Sequence, residues 1–278
     1  MSQSEKASRL LSLHHAEQPL VLINAWDAAS ACIVERAGFP AIATTSAGIA
    51  NAQGYPDGQR IPWPEMLEAV RRIAEAVRVP VTADVESGFA ADPQQLEWSL
   101  EQLIEAGAVG LNLEDALPGA AHGPLFSLAD QVDRIRTVRR VAEKRKLHLV
   151  INARTDAYWQ RGADPAVAWR ETVERGKAYL EAGADCIFVP GLRDSGQIAN
   201  LAGEWNSPIN ILAGAGAPSV AELQKLGVKR ISYGSGPMRA AMGFLRAICQ
   251  EALDSGTYNR MAETAVGYDE MNALVQGH

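Results

Sequence analysis

One junction recurs along this chain and constrains its fold more than any other feature. A helical pattern ends in glycine, turns, and runs straight into an apolar strand. It is read in ERAGFPAIATT (35–45), EAGAVGLNLED (105–115), EAGADCIFVPG (181–191) and KLGVKRISYGS (225–235). Glycine just past a helix accepts the left-handed conformation that closes it. Strands alternating with helices then imply βαβ units and a parallel sheet. Eight strands are predicted: Val21–Asn24, Ile42–Thr44, Val81–Asp84, Gly110–Leu113, Leu149–Ala153, Cys186–Val189, Ile209–Leu212 and Arg230–Ser232. Helical patterns follow them, among them Trp63–Ala76, Pro93–Ala106, Ser127–Lys144 and Ala166–Ala182. Several carry apolar residues at i, i+3, i+4 and i+7. Eight such units predict an α/β fold, a closed (β/α)8 TIM-type barrel, with an open doubly wound sheet as the alternative.

The eighth helical pattern is Pro237–Leu253, and a further one, Asn259–Val275, has no strand to serve. No Pro/Gly-rich linker divides the sequence. Residues 1–278 therefore read as one barrel domain with an extra C-terminal helix, residues 254–278 forming an extension suited to contacts in a homo-oligomer, a dimer or tetramer.

Composition excludes several classes of function. A chain of 278 residues with 47% hydrophobic and 21% charged side chains fills a globular core. A formal net charge of −7 argues against a nucleic-acid surface, which needs clustered Lys and Arg. No apolar run approaches the ~20 residues of a membrane span. The polar start MSQSEKASRLLSLHHAEQ offers no signal-peptide core, so a cytoplasmic protein is expected. Cys32, Cys186 and Cys249 are odd in number and outside any CxxC, and read as reduced thiols acting as small buried hydrophobes.

Barrel chemistry belongs at the carboxyl ends of the strands, and acids gather there. They lie in Ala83-Asp84-Val85-Glu86-Ser87-Gly88, in Asn112-Leu113-Glu114-Asp115, and at Asp57 in Gly54-Tyr55-Pro56-Asp57-Gly58. Asp84 and Glu86, two apart on a strand, are expected on one face. Neighbouring carboxylates repel, and the arrangement becomes reasonable if a hard divalent cation shares them. Mg²⁺, with Mn²⁺ as a substitute, takes oxygen ligands and keeps several waters, and the absence of accompanying His or Cys argues against zinc. Arg154, in Asn152-Ala153-Arg154-Thr155-Asp156, would bring a positive charge to a carboxylate or a developing enolate oxygen. Strand-end aspartates also cap helices, the role read for Asp27, Asp92 and Asp194, and Asp57 could serve only its turn. Four acids at one mouth are harder to explain without function.

These stretches carry a resemblance. In order and spacing, NAWDAASACIVERAGFPAIATTSAGIA, GYPDG, PVTADVESGFA, GLNLED and INARTDA resemble the isocitrate lyase/phosphoenolpyruvate mutase superfamily, from about Leu20 to Leu253. The resemblance implies that Asp84 is the principal Mg²⁺ ligand, with Asp57, Glu86 and Glu114 holding metal-bound waters. It implies that Thr45, Ser46 and Ala47 grip the α-oxo carboxylate of a small-molecule substrate, and that Arg154 contacts the oxo acid and the group that leaves. Such enzymes break C–C or P–C bonds beside a pyruvate unit, through an enolate, and form tetramers in which a C-terminal helix packs across to a neighbour.

One loop departs from that pattern. Lyase members carry a Lys-Lys/Arg-Cys-Gly-His motif and mutases a Lys after the strand ending at Glu114. Here the loop reads Ala116-Leu117-Pro118-Gly119-Ala120-Ala121-His122-Gly123-Pro124. His122 is its only ionisable side chain, so Arg154, Asp57 and His122 are the candidate catalytic set. Without the Cys or Lys, decarboxylation or C–C cleavage of an oxaloacetate-like oxo diacid is the expectation. The alternatives are a phosphonopyruvate- or phosphoenolpyruvate-type P–C enzyme and a non-catalytic oxo-acid-binding protein. Gly214-Ala215-Gly216 and Gly234-Ser235-Gly236 leave a phosphate-binding barrel as a further reading. Schiff-base catalysis is disfavoured, since Lys144, Lys146, Lys177, Lys225 and Lys229 fall away from the mouth, and no Gly-x-Ser-x-Gly elbow is present.

Overall fold

In the computed structural model, described for residues 1–119, 123–159 and 164–276, the first expected strand is two. β1 (Leu20–Leu22) and β2 (Asn24–Ala25) are interrupted only at Ile23. The others are β3 (Ile42–Thr44), β4 (Val81–Asp84), β5 (Gly110–Glu114), β6 (Val150–Arg154), β7 (Cys186–Phe188), β8 (Ile209–Leu212) and β9 (Arg230–Ser232). The order is β1-β9-β8-β7-β6-β5-β4-β3-β2, parallel throughout. β1 pairs with the last strand and β2 with β3, so one continuous segment closes the sheet on itself. The fold is a (β/α)8 barrel, and the open-sheet alternative falls.

The helices are α1 (Gln3–His14), α2 (Ala28–Arg36), α3 (Ser46–Ala52), α4 (Trp63–Ala76), α5 (Pro93–Glu105) and α6 (Leu128–Lys144). α7 (Pro165–Glu181), α8 (Ser195–Trp205), α9 (Val220–Lys225), α10 (Gly236–Ser255), α11 (Asn259–Thr264) and α12 (Tyr268–Val275) complete them. The junction glycines Gly38, Gly107, Gly183 and Gly227 all have φ between 87° and 107°, the left-handed region their positions require. Asp27, Asp92 and Asp194 each accept a backbone N–H three residues on, as helix caps.

Three features differ from the sequence reading. α1 was not foreseen, although Ser2 and Glu5 form a reciprocal capping box at its start. It lies across the amino-terminal end of the barrel, where Leu10 packs so close to Gly110 that a β-carbon there would come within 2.8 Å of its side chain. The expected C-terminal helix divides at 265–267 into α11 and α12, and α12 returns to pack on α2. Cys32 and Cys186 are buried, but Cys249 is exposed, on α10, of whose residues only Met238 is buried. Among the described residues no helix is long and apolar enough to cross a membrane.

Candidate active site

A cleft of about 850 Å³ opens at the carboxyl ends of the strands. Thr45, Ser46, Ala47, Asp57, Asp84, Glu86, Glu114 and Arg154 all line it. His122 lies outside the described residues.

Asp84 ends β4 and is held from two sides. Its Oδ2 accepts the Ser46 amide (3.1 Å) and hydroxyl (2.8 Å), and its Oδ1 accepts Asn112 Nδ2 (3.2 Å). Thr45 caps α3, its hydroxyl accepting the Gly48 N–H, which brings Ser46 to Asp84. Glu86 reaches the cleft by a different route from strand alternation. The strand stops at Asp84, and Glu86 adopts φ 50°, a left-handed conformation that a side chain seldom takes. Strain of this kind concentrates at functional sites. Its Oε1 is buried with no hydrogen-bond partner. Burial first, then Asp57 and Asp84, push the Glu86 carboxyl up to about 8. Withdrawal from water and the nearby Asp84 also raise Asp57.

Glu114 ends β5 and pairs with Arg154 Nη1 across the β5–β6 register. Its burial outweighs this pairing, so its carboxyl lies well above the usual range. Asp156 forks Arg154, accepting Nε (2.6 Å) on Oδ1 and Nη2 (2.9 Å) on Oδ2. Although burial lowers it, Asp156 and Glu114 hold the guanidinium firmly protonated. Trp159 and Phe188 lie against the guanidinium at 4.8 and 5.6 Å from their ring centroids. Of its five N–H donors, three are engaged with Asp156 and Glu114, leaving two for a ligand.

The four acids face one space, yet among the described residues no three of His, Cys, Asp or Glu converge tightly enough to share an ion directly. The carboxylates the cleft offers a cation are Asp57, Asp84, Glu86 and Glu114, all oxygen donors that can act directly or through water.

The sequence reading passed over Asp156, Asn112, Trp159 and Phe188. Asp156 was legible: two residues past Arg154, it follows the spacing that had singled out Asp84 and Glu86. Behind it, buried Asp115 accepts the Asp156 N–H (2.9 Å), Tyr179 OH (2.8 Å) and Arg175 Nη1 (3.2 Å), pairings across more than 40 residues that no local pattern announces.

With this geometry in view, the chain matches the phosphoenolpyruvate phosphomutase family over residues 10–253. It belongs to the isocitrate lyase/phosphoenolpyruvate mutase superfamily. It is similar to 2-methylisocitrate lyase of Halalkalibacterium halodurans, 28% identical over 98% of this chain and 93% of that one. A Burkholderia cenocepacia structure provisionally assigned as a phosphonomutase is 38% identical, with TM-score 0.85 over 90% of this chain and all of that one. Phosphonopyruvate hydrolase, solved with oxalate and Mg²⁺, shares the fold at 23% identity and TM-score 0.84, over 97% of this chain and 94% of that one.

Proposed function

We propose that this protein is a divalent-cation-dependent lyase that cleaves or decarboxylates a small α-oxo acid, leaving a pyruvate-type enolate. The observation that carries this reading is the unpartnered, buried Glu86 Oε1 beside Asp57 and Asp84, facing a cleft that also presents Arg154. The Asp57 and Glu86 carboxyls, both raised by burial first and then by neighbouring acids that include Asp84, gain most from a shared hard cation, and the donor set is all oxygen. Asp84 and Glu86 would hold it, with Asp57 and Glu114 orienting its waters. Bound Mg²⁺ would supply Lewis-acid polarisation of the substrate carbonyl. Thr45, Ser46 and Ala47 are assigned to the carboxylate, Ser46 giving up its contact with Asp84 when a cation takes that oxygen. Arg154 turns its two remaining donors to the oxo acid, and its fixed position lowers the cost of stabilising charge as it develops. Decarboxylation or C–C cleavage suits a loop after β5 whose sequence has neither Cys nor Lys. Carbon dioxide leaves without an acid and water can return a proton to the enolate, while release of a carbonyl product also needs a base for the substrate hydroxyl proton, a role open to Asp57.

The experiment is turnover with Mg²⁺ across 2-oxo and 2-hydroxy diacids, isocitrate, 2-methylisocitrate and phosphonopyruvate. Oxaloacetate-like acids should be consumed and phosphonopyruvate should not. No turnover of any of them, with cation bound, would leave the non-catalytic reading in its place.

Self-association belongs to the same proposal. Met242, Phe244 and Leu245 of α10 and Met261 of α11 are exposed large apolar side chains on two helices in contact with each other, the kind of surface that marks protein contacts. Light scattering should report a dimer or tetramer, and a stable monomer would remove this part.

A further inference from the structure

The carboxylates are confined to one side of the cleft. Every acid on its walls comes from the β4, β5 and β6 ends or the segment before α4: Asp57, Asp84, Glu86, Glu114 and Asp156. The other side, built after β7, β8 and β9 and completed by the start of α10, carries none among the described residues. Its apolar residues are Phe188, Leu212, Ala213, Pro237 and Ala240, joined across the cleft by Leu117, with Ser232, Tyr233 and Ser235 set among them. Phe188 is also the ring that flanks Arg154, so the apolar wall begins where the oxo-acid end of the site stops.

We propose that this half of the cleft holds an apolar substituent of the substrate: the physiological ligand is a 2-oxo or 2-hydroxy acid with an alkyl or aryl branch, larger than oxaloacetate. The inference rests on the oxo-acid reading above and adds to it the chemistry of the rest of the molecule. At about 850 Å³ the cleft reaches the size of pockets that enclose drug-sized ligands, and a four-carbon acid between Arg154 and Asp84 leaves most of it open. Open apolar wall is unfavourable in water, and a ligand that covers it gains affinity in proportion to the area removed from solvent. Two cations also line this half, Arg193 and Arg239. Both are exposed, and neither guanidinium has a partner among the described residues. Their stems can lie along the apolar wall while their heads stay in water, which places their charge at the rim.

Calorimetry in Mg²⁺ with planar oxo-acid mimics separates the two ideas. Oxalate and oxamate probe the oxo-acid end alone; N-butyloxamate adds an apolar arm, and N-(3-carboxypropyl)oxamate an arm of similar length ending in a carboxylate. Each buried methylene contributes roughly a fourfold gain when fully desolvated, so N-butyloxamate should bind at least about tenfold tighter than oxamate. The carboxylate-terminated arm should bind no tighter than the butyl one. Leu212→Asp and Ala240→Glu should each bring the N-butyloxamate-to-oxamate ratio back towards one; Ala240 is exposed, so that variant tests the wall even if Leu212→Asp does not fold. Equal affinity for oxamate and N-butyloxamate, with oxalate bound, overturns the proposal and leaves the oxo-acid reading standing. A tenfold preference for the carboxylate-terminated arm overturns it in favour of an anion held by Arg193 and Arg239. Failure of oxalate and oxamate to bind at all removes the oxo-acid reading beneath it.

Discussion

The two ends of the barrel bury charge in opposite ways. At the mouth, burial drives acids towards neutrality: Glu86 rises to about 8, and Glu114 rises despite Arg154. At the floor, burial drives bases the same way: His14 falls to about 3 and Arg230 to about 10. One desolvation effect acts on both, with the sign set by the group. The ends differ in what faces the charge. His14 Nδ1 donates to the Leu10 carbonyl (2.8 Å) and its Nε2 accepts Arg230 Nη1 (3.2 Å), under the cover of α1, and neither residue lines the cleft. Glu86 presents an unpartnered oxygen beside open space. Asn112 joins the two, accepting Arg230 Nη2 (3.2 Å) while donating to Asp84 (3.2 Å). Arg230 Nε is also without a partner, so the difference lies in access: the floor is sealed, whereas the Glu86 oxygen faces a cleft that a ligand can enter.

The contrast breaks most severely at Asp84. Asp84→Ala should lower turnover by on the order of 10³-fold or more, the scale lost with one preorganised electrostatic group. It should also abolish the thermal stabilisation by Mg²⁺, about 2.7 kcal/mol at a hundredfold excess over Kd in the parent. Retention of full activity after exhaustive chelation would end the case for a cation at the mouth. Next in size is Arg154→Lys, which keeps the charge but loses the fork to Asp156 and the flat face between Trp159 and Phe188. Losing a charge-assisted contact of about 1.5–3 kcal/mol should weaken Mg²⁺-dependent oxalate binding roughly 10- to 150-fold. Undiminished oxalate affinity would mean that Arg154 does not face the ligand.

A third test uses pH on the chelated protein. Below about 4.5 Glu86 is protonated both folded and unfolded; between there and about 8 the folded state keeps a proton that the unfolded chain has lost. Its contribution to stability is therefore present at low pH and lost as pH rises through that window, with a slope of at most about 1.4 kcal/mol per pH unit. Tm measured in chelator should fall between pH 6.5 and 8, above the range where His14 titrates in the opposite direction, and Glu86→Gln should flatten the fall. An identical profile in the variant would show that Glu86 does not carry the effect.

How much of this could be read from the sequence follows from range of interaction. The barrel was legible because its signals are local: a glycine after α2, α5, α7 and α9, an apolar strand within four residues, Asp27, Asp92 and Asp194 at helix starts. Asp57, Asp84, Glu86, Glu114 and Arg154 were legible because the fold rule sends strand ends to the mouth, although Glu86 arrives there through a left-handed residue that alternation does not describe. The break in the first strand at Ile23 was not legible, since it serves two partners more than 180 residues apart along the chain. The floor was not legible either. Ser2 and Glu5 announced a helix, but nothing near His14 indicates that its ring would meet Arg230, 216 positions away.

That floor supplies the last and smallest effect on function. His14 is neutral when folded, with a pKa near 3 set first by burial and then by Arg230, whereas its ordinary value is 6.5. The neutral ring's contribution is complete above pH 6.5 and is lost as pH falls towards 3, because the unfolded chain takes up a proton that the folded one refuses. In His14→Gln the amide can still donate to the Leu10 carbonyl and accept from Arg230, without titrating. The variant should lose about 1 kcal/mol of stability at neutral pH, the scale of an imperfectly replaced buried hydrogen bond. Relative to the parent, the variant should recover stability as pH falls from 6.5 to 4, because it has no imidazole to leave unprotonated. Mg²⁺ affinity should change less than threefold, within about 0.6 kcal/mol, because Asn152 also donates to Asn112 Oδ1 (2.7 Å) and keeps that amide turned towards Asp84 when Arg230 shifts. A tenfold loss of Mg²⁺ affinity in His14→Gln would show that the floor governs the mouth through Asn112, and the division between sealed floor and open mouth would fail.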